Sequence, residues 1–259
     1  MAKRDFGVPV STKRGSTDLA VIENTGSKIS QLHERAKGLA AETVAEVSLR
    51  RQKRVDLIFC VDCSGSVEGT EKSVSKGYAD LIKRENEKEN NLFVTTVLFN
   101  NSVQKITNAV HASLVPGLNY KAGGGTALFD AICETIDSVD NNISTNTDAV
   151  FVIMTDGAVD GEHSKRYKLE DAKARISQQK KAGWKFILLG AEGIDIKNVA
   201  ELLGIDENLS ATYSVKATQY NFLALENVLS DVRSTGEVSS DWLMPIKERL
   251  MLGDGHDHS

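Results

Sequence analysis

The stretch "VDLIFCVDCSGS", residues 55–66, changes character at its midpoint. Apart from Asp56, its first half is apolar, which is typical of a buried strand. It then ends in an acid, a thiol, two hydroxyls and a glycine, and such groups are costly to hold at the edge of a core. Two interpretations compete. The C-x-x-C pair at 60–63 indicates redox chemistry or zinc, whereas D-x-S-x-S at 62–66 indicates oxygen ligands for a hard cation.

Segments typical of strands and of helices alternate along most of the chain. Strands are predicted within residues 55–61, 92–100, 148–157, 184–192 and 210–215, with "SVQKIT" as a short strand that forms a hairpin with the second across Asn100 and Asn101. Helices are predicted within residues 70–88, 121–139, 168–183, 195–204 and 218–236. This alternation favours parallel crossover connections and therefore a mostly parallel sheet covered by helices on both faces.

The sequence has three polar clusters: two directly follow predicted strands, and one lies in a loop. The first is D-x-S-x-S at 62–66, the second is the glycine-rich loop at 123–126, and the third is T-D-G at 155–157. In open parallel sheets, ligands bind at the carboxyl ends of the strands near a topological switch point. We therefore expect the three clusters to meet at one edge of the sheet.

The residue types in these clusters suit a magnesium-like ion, which takes six oxygen ligands in octahedral geometry. Hydroxyls of Ser64, Ser66 and Thr126 are the expected direct ligands. Asp62 and Asp156 supply two carboxylates, directly or through water. Two carboxylates balance a divalent charge, so the ion stays electrophilic and a carboxylate from a partner protein is the natural sixth ligand. We predict Mg2+, with Mn2+ and Ca2+ as the alternatives.

The glycines beside these ligands have predicted roles in bringing the backbone close. Gly65 is expected to let the turn after the first strand tighten. Residues 123–125 are expected to let the segment that carries Thr126 approach the ion.

In this order and spacing, the three motifs resemble the metal-ion-dependent adhesion site (MIDAS) of von Willebrand factor A (vWA) domains. The similarity extends over roughly residues 54–236 and includes "VTTVLFN", "GGGTALFDAI", "IMTDG" and "GWKFILLGA". These phrases look most similar to stand-alone cytoplasmic vWA proteins of bacteria and phages, some linked to tellurium-resistance-like or ATPase-containing gene neighbourhoods. The resemblance implies a doubly wound Rossmann-like α/β fold with one short antiparallel edge strand.

The resemblance also implies a function, namely cation-dependent binding of a partner protein. The chain is then an adaptor in a bacterial or phage complex, with an ATPase or a stress-response assembly as candidate partner, and it is not an enzyme. The alternative is a metal-dependent phosphohydrolase-like enzyme, since those enzymes also place an Asp after a first parallel strand. Their second Asp, two positions on, is replaced here by Ser64, which cannot do acid–base work.

Other interpretations of the motifs are weaker. The loop at 123–126 could cradle a phosphate, but it does not match the P-loop pattern. Cys60 lies within a strand and no second cysteine pair exists for zinc, while Cys63 stays open as a redox-sensitive thiol.

The predicted organisation has four parts. Residues 1–28 form a flexible basic arm, and residues 29–53 form an amphipathic helical extension that packs on the next domain or pairs with another chain. Residues 54–237 form the vWA domain. Residues 238–259 form a tail whose apolar segment "DWLMPIKERLML", residues 241–252, docks on its own domain or on a partner.

Composition predicts a cytoplasmic protein. The net charge is −5, the 3 cysteines are too few for a disulfide framework, and no apolar run is long enough to span a membrane. The N-terminal residues lack the apolar region of a secretory signal. Residues 1–54 are net basic and the rest is net acidic, so nucleic acid is expected to bind only weakly, through the basic arm.

Overall fold

The computed structural model describes residues 16–51, 53–88, 91–140, 147–156, 161–213 and 218–244. Its helices are α1 (Ser16–Arg51), α2 (Glu71–Lys88), α3 (Leu128–Asp140), α4 (Leu169–Lys181), α5 (Ile196–Leu203) and α6 (Thr218–Thr235). Its strands are β1 (Val55–Asp62), β2 (Leu92–Phe99), β3 (Val103–His111), β4 (Asp148–Thr155), β5 (Lys185–Ala191) and β6 (Ser210–Tyr213).

The strands form one 6-stranded sheet in the order β3-β2-β1-β4-β5-β6. Neighbouring strands pair in parallel from β2 to β6, and β3 alone is antiparallel, at the edge beside β2. The predicted α/β class is therefore confirmed. Chain order runs outward from β1 on one side and from β4 on the other, so the topological switch point lies between these two strands. Their carboxyl ends are the expected place for a ligand.

The edge strand β3 is longer than the predicted segment "SVQKIT". It continues to His111, and its pairing with β2 shifts register on either side of Thr96. Ala109 adopts a positive φ of 50° in this irregular part, and its backbone N–H donates to the hydroxyl of Thr95 at 2.9 Å. A bulge of this kind leaves no clear periodicity in the sequence.

The core lies on both faces of the sheet, because successive side chains of β1 point to opposite sides. Leu57 and Phe59 belong to a cluster with apolar side chains of α2 and α6. Ile58 and Cys60 belong to a second cluster with apolar side chains of α3, α4 and α5. Every residue of β1 is buried, which explains why the strand is apolar throughout apart from its two aspartates.

A buried ionic network joins α2 to α6, and the sequence pattern did not predict it. Glu85 is fully buried, and its carboxylate contacts both Arg233, which is 4% exposed, and Lys88. Glu226 on α6 also pairs with Lys88, at 2.9 Å, and with Arg84. The network therefore fixes these two helices against each other by charge as well as by apolar contact.

The chain divides into two compact units, residues 1–47 and 48–259. In the first unit, α1 begins at Ser16, whereas the sequence predicted a flexible arm up to residue 28. Leu19 and Ile22 extend the apolar spacing seen from Ile29, which accounts for the earlier start. The apolar side chains Leu32, Leu39 and Val44 are exposed. No helix in the described ranges has the length and apolar character that a membrane span requires.

The apolar segment near the C-terminus contributes to the core of its own unit. Trp242 is only 1% exposed, and its indole N–H donates to the carbonyl of Asn208 at 2.8 Å. Leu243 packs beside the same cluster, while Met244 is 43% exposed. The rest of the predicted docking segment, residues 245–252, lies outside the described residues.

Candidate metal centre

The carboxyl end of β1 brings three oxygen-bearing side chains together. Asp62 ends the strand opposite Phe99, and the backbone N–H of Cys63 extends the pairing by donating to the Phe99 carbonyl at 2.8 Å. The chain then turns, because the N–H of Ser64 donates to Oδ1 of Asp62 at 2.8 Å. The hydroxyls of Ser64 and Ser66 lie 3.1 Å apart. The predicted convergence of Asp62, Ser64 and Ser66 is therefore present in the structure.

The glycine-rich loop lies against this turn. The N–H of Gly123 donates to the carbonyl of Cys63, and the N–H of Gly65 donates to the carbonyl of Gly124, each at 2.9 Å. Thr126 follows two residues later and is 5% exposed. These two backbone bonds bring the segment that carries Thr126 next to the D-x-S-x-S turn.

The end of β4 joins the cluster through a residue outside the predicted ligand set. Thr155 donates its hydroxyl to Oδ2 of Asp62 at 2.8 Å. Asp156 follows and is half-buried. Burial is the main cause of the raised pKa of Asp62, and the negative charge of Asp156 adds to it. The sequence signal for Thr155 was the T-D-G motif itself. Gly157 and Asp160 lie outside the described residues.

Asp62 is a buried carboxylate without a basic partner in the described part of the chain. It is 3% exposed; burial raises its pKa, while hydrogen bonds from Ser64 and Thr155 oppose the shift. Among the described residues, no Lys, Arg or His side chain pairs with it. Asp56, which is buried just as deeply, is bound at 2.7 Å through each oxygen by Arg54. Asp62 therefore differs from Asp56 in that no basic side chain of the described residues compensates its buried charge.

The donor set fits a hard divalent cation. In the described ranges, no three His, Cys, Asp or Glu side chains cluster closely enough to hold a metal, which argues against a zinc-type centre there. Asp62, Ser64, Ser66, Thr126 and Asp156 instead offer two carboxylates and three hydroxyls, the oxygen ligands that Mg2+ accepts. When bound, the cation would supply positive charge and an open electrophilic position.

The cysteines carry no redox or zinc chemistry that the structure supports. Cys60, Cys63 and Cys133 are all free and buried. Burial and the nearby Asp62 charge raise the pKa of Cys63 to about 11, and burial raises that of Cys133 to about 12. The Cys63 thiol donates to the Phe99 carbonyl at 3.2 Å. Because the reactive form of cysteine is the thiolate, these protonated thiols are poor nucleophiles.

Glycine is required at two of the positions predicted in the loop, Gly124 and Gly125, but not at Gly65. Gly124 has a φ of 84°, and a Cβ there would lie 2.8 Å from Nδ2 of Asn101. A Cβ on Gly125 would lie 2.1 Å from the imidazole ring of His163. At Gly65, by contrast, a Cβ would meet only the Gly124 carbonyl at 3.5 Å, an ordinary contact. Asn101 and His163 thus border the site, and no sequence motif marked either of them.

A separate cavity of about 430 Å³ lies between β3 and α3, and none of the five predicted ligands lines it. Its acidic residues are already paired, Glu134 with Arg166 and Asp137 with Arg175, each at 2.8 Å. The candidate metal centre therefore lies at the carboxyl ends of β1 and β4 and is not part of this cavity.

A family profile for the VWA domain containing CoxE-like protein matches residues 28–199, which is more than half of the chain. The chain belongs to this vWA family. The matched range includes β1, the glycine-rich loop and the end of β4, so it contains all five residues of the candidate centre. No curated protein matches the chain significantly.

Solved vWA-type structures share the fold of this vWA protein at low identity. The vWF domain of the pilus tip protein Mfa5 from Porphyromonas gingivalis has a TM-score of 0.56 and 12% identity, covering 73% of this chain and 99% of that one. The pilus adhesin SpaC from Lactobacillus rhamnosus GG has a TM-score of 0.55 and 15% identity, covering 70% of this chain and 30% of that one.

A third similar structure has zinc bound in its own MIDAS motif. Proximal thread matrix protein 1 from the mussel byssus, with a zinc-occupied MIDAS motif, has a TM-score of 0.53 and 16% identity, covering 71% of this chain and 46% of that one. This chain therefore spans about half or less of the mussel protein and of SpaC.

Proposed function

We propose that this vWA protein is a divalent-cation-dependent protein-interaction module. Asp62, Ser64, Ser66, Thr126 and Asp156 would hold Mg2+, with the hydroxyls as direct ligands and the carboxylates directly or through water. Mn2+ and Ca2+ are the alternative ions. The observation that carries the proposal is the buried Asp62 carboxylate, which accepts hydrogen bonds from Ser64 and Thr155 but pairs with no basic side chain in the described part of the chain.

The chain's own residues prepare the site for a cation. Thr155 and the N–H of Ser64 orient the two oxygens of Asp62. The hydroxyls of Ser64 and Ser66 converge to 3.1 Å, and they add ligand oxygens without adding negative charge. The site would therefore leave the bound cation able to take a further anionic ligand, which a Glu or Asp of a partner protein would supply.

The proposed role is that of an adaptor in a bacterial or phage complex, with an ATPase or a stress-response assembly as candidate partner. The three buried free thiols are consistent with a reducing compartment, so we place the protein in the cytoplasm. The zinc-occupied MIDAS of the mussel protein supports metal binding by this architecture.

We assign binding rather than catalysis to the site. In the phosphohydrolase alternative, the position of Ser64 would carry a second Asp for acid–base work, and a hydroxyl bonded to Ser66 does not replace it. Hydrolysis of p-nitrophenyl phosphate by the Mg2+-loaded protein, lost in Asp62→Asn, would contradict this assignment.

The proposed function can be tested by affinity capture from lysate of the source cells, in Mg2+ and in chelator. Wild type, Asp62→Ala and Asp80→Ala are compared. Asp80 is the matched control, because it is a partly exposed acid of α2 whose pairing is with Lys76. We expect a partner that is retained in Mg2+ by wild type and Asp80→Ala, and lost in chelator and in Asp62→Ala.

The captured partner then supplies the second half of the test. Replacing its contacting Glu or Asp with Gln or Asn should abolish retention in Mg2+. Partners that stay bound to wild type in chelator and to Asp62→Ala in Mg2+ contradict metal-mediated recruitment.

A further inference from the structure

Two consecutive asparagines at the β2–β3 turn bind the loop that carries Thr126. The side-chain Nδ2 of Asn100 donates to the carbonyl of Gly123 at 2.9 Å. The Oδ1 of Asn101 accepts from the backbone N–H of Gly125 at 2.7 Å. The backbone carbonyl of Asn100 accepts from the N–H of Ala127, also at 2.7 Å. The residues on both sides of Thr126 are thus hydrogen bonded to one turn.

The opposite side of the same loop is bound by the D-x-S-x-S turn. Gly123 donates to Cys63, and Gly124 accepts from Gly65, each at 2.9 Å. The loop therefore lies between two turns, one after β1 and one after β2. Asn101 also packs directly on the backbone of Gly124, where a Cβ would lie 2.8 Å from its Nδ2.

The asparagine turn is itself rigidly placed. The N–H of Asn100 donates to the Ser102 carbonyl at 3.0 Å, and the N–H of Ser102 donates back to Oδ1 of Asn100 at 3.2 Å. Asn100 follows Phe99, the residue that pairs with Asp62 in the sheet. The turn thus has a fixed position relative to the strand end that carries Asp62.

We propose that Asn100 and Asn101 are positioning residues that hold the Thr126 loop against the Asp62–Ser66 cluster and thereby set the affinity of the site for its cation. The inference rests on the proposed function. Neither asparagine is assigned as a ligand; both act through the backbone of Gly123–Ala127. Residues that orient metal ligands typically change affinity by about 10–100-fold when they are lost.

The two asparagines bind the loop through opposite hydrogen-bonding groups, Asn100 through a donor and Asn101 through an acceptor, so the same substitution should affect them differently. Asn100 needs its amide N–H group, because Gly123 presents a carbonyl; an aspartate would place one acceptor against another. Asn101 needs only its Oδ1, because Gly125 presents an N–H, and an aspartate keeps that oxygen. Asn100→Asp and Asn101→Asp add the same charge at adjacent positions, so any general electrostatic effect on a cation is matched between them.

The test measures the Mn2+ affinity of the full chain by calorimetry. We expect Asn100→Asp and Asn101→Ala to bind Mn2+ about tenfold or more weakly than wild type. Asn101→Asp should bind at least as tightly as wild type. Asn208→Ala, a change at an exposed asparagine next to β6, should leave the affinity unchanged. Equal affinities for the two aspartate variants, or an unchanged affinity in Asn101→Ala, overturn the inference.

A second readout does not depend on metal. Amide hydrogen exchange of Gly125, measured in chelator, should be at least about tenfold faster in Asn101→Ala than in wild type, because its N–H loses its acceptor. It should stay slow in Asn101→Asp. Unchanged exchange in Asn101→Ala overturns the positioning role even if wild type binds no Mn2+. Absence of Mn2+ binding by wild type instead contradicts the proposed function, so the two failures are distinguishable. Thermal unfolding of each variant in chelator checks that it is folded.

Discussion

Thr155 donates its hydroxyl to Oδ2 of Asp62 at 2.8 Å, and this bond joins the carboxyl ends of β4 and β1. The two strands are neighbours at the switch point of the sheet, so the contact lies where the fold favours ligand binding. Thr155 is fully buried, and its hydroxyl fixes one oxygen of the carboxylate while the N–H of Ser64 fixes the other. The orientation of Asp62 is thus determined by the protein before any cation binds.

Removing this bond should weaken cation binding without removing a ligand. We expect Thr155→Val to lower Mn2+ affinity about tenfold, because the carboxylate of Asp62 loses the donor that orients it. Thr155→Ser keeps the hydroxyl and should bind close to wild type. Calorimetric titration of the three proteins checks this, and a Thr155→Val protein with wild-type affinity would show that the hydroxyl does not orient Asp62 for the metal.

Asp62 should destabilise the metal-free protein. Its buried carboxylate has a raised pKa and no basic partner in the described chain, so its charge is costly without a cation. We expect the free energy of unfolding of Asp62→Asn in chelator to exceed that of wild type by about 1 kcal/mol, which corresponds to a Tm about 2–4 °C higher. In Mg2+ the order should reverse, since only wild type gains stability from the ion. Scanning calorimetry in both buffers measures this. A variant less stable than wild type in chelator would mean that the protein alone already stabilises the charge.

The buried pair between Arg233 and Glu85 should be essential to the packing of α6 on α2. Arg233→Met leaves the fully buried carboxylate of Glu85 with Lys88 as its one remaining partner among the described residues, and we expect a loss of about 3–5 kcal/mol in the free energy of unfolding. The double variant Arg233→Met with Glu85→Leu also removes the buried carboxylate, so its free energy of unfolding should fall by less than that of Arg233→Met. Urea unfolding of both proteins tests this prediction. A double variant that is less stable than Arg233→Met would contradict the charge-based explanation.

Trp242 should contribute to the stability of the vWA domain. Trp242→Ala removes a buried ring and the hydrogen bond to the Asn208 carbonyl, and we expect a loss of about 3–5 kcal/mol in the free energy of unfolding. Met244→Ala, at a half-exposed neighbour, should change stability by less than about 0.5 kcal/mol. Urea unfolding compares the two. Equal stability of wild type and Trp242→Ala would mean that the segment does not dock on its own domain in solution.

The sheet could be predicted from the sequence because its strands are locally distinct. The apolar run of β1 is buried on both faces, and helices of sufficient length separate the parallel strands. Asp62, Ser64 and Ser66 could be predicted to converge, because alternate positions after one strand are close whatever the rest of the chain does. The edge strand was underestimated, since a bulge near Thr96 has no local signature.

The supporting contacts of the site could not be predicted. Thr155 and Asp62 are separated by 93 positions, and Asn101 and Gly125 by 24, so their hydrogen bonds depend on loop conformations that no spacing rule provides. The same holds for the packing of His163 on Gly125. The glycine-rich loop was predicted to need its glycines, but the reason at Gly124, a positive φ and the neighbouring Asn101 side chain, and the lack of such a need at Gly65 become visible only in three dimensions.

The most direct test of the metal centre is a calorimetric titration of the full chain with Mn2+, run on wild type and on Asp62→Ala under identical conditions. The predicted result is a single saturable site in wild type that is absent from Asp62→Ala, because the variant lacks a carboxylate that the site needs to balance the cation. Saturable binding that is the same in both proteins, or none in wild type, would contradict the assignment of Asp62, Ser64, Ser66, Thr126 and Asp156 as a metal centre.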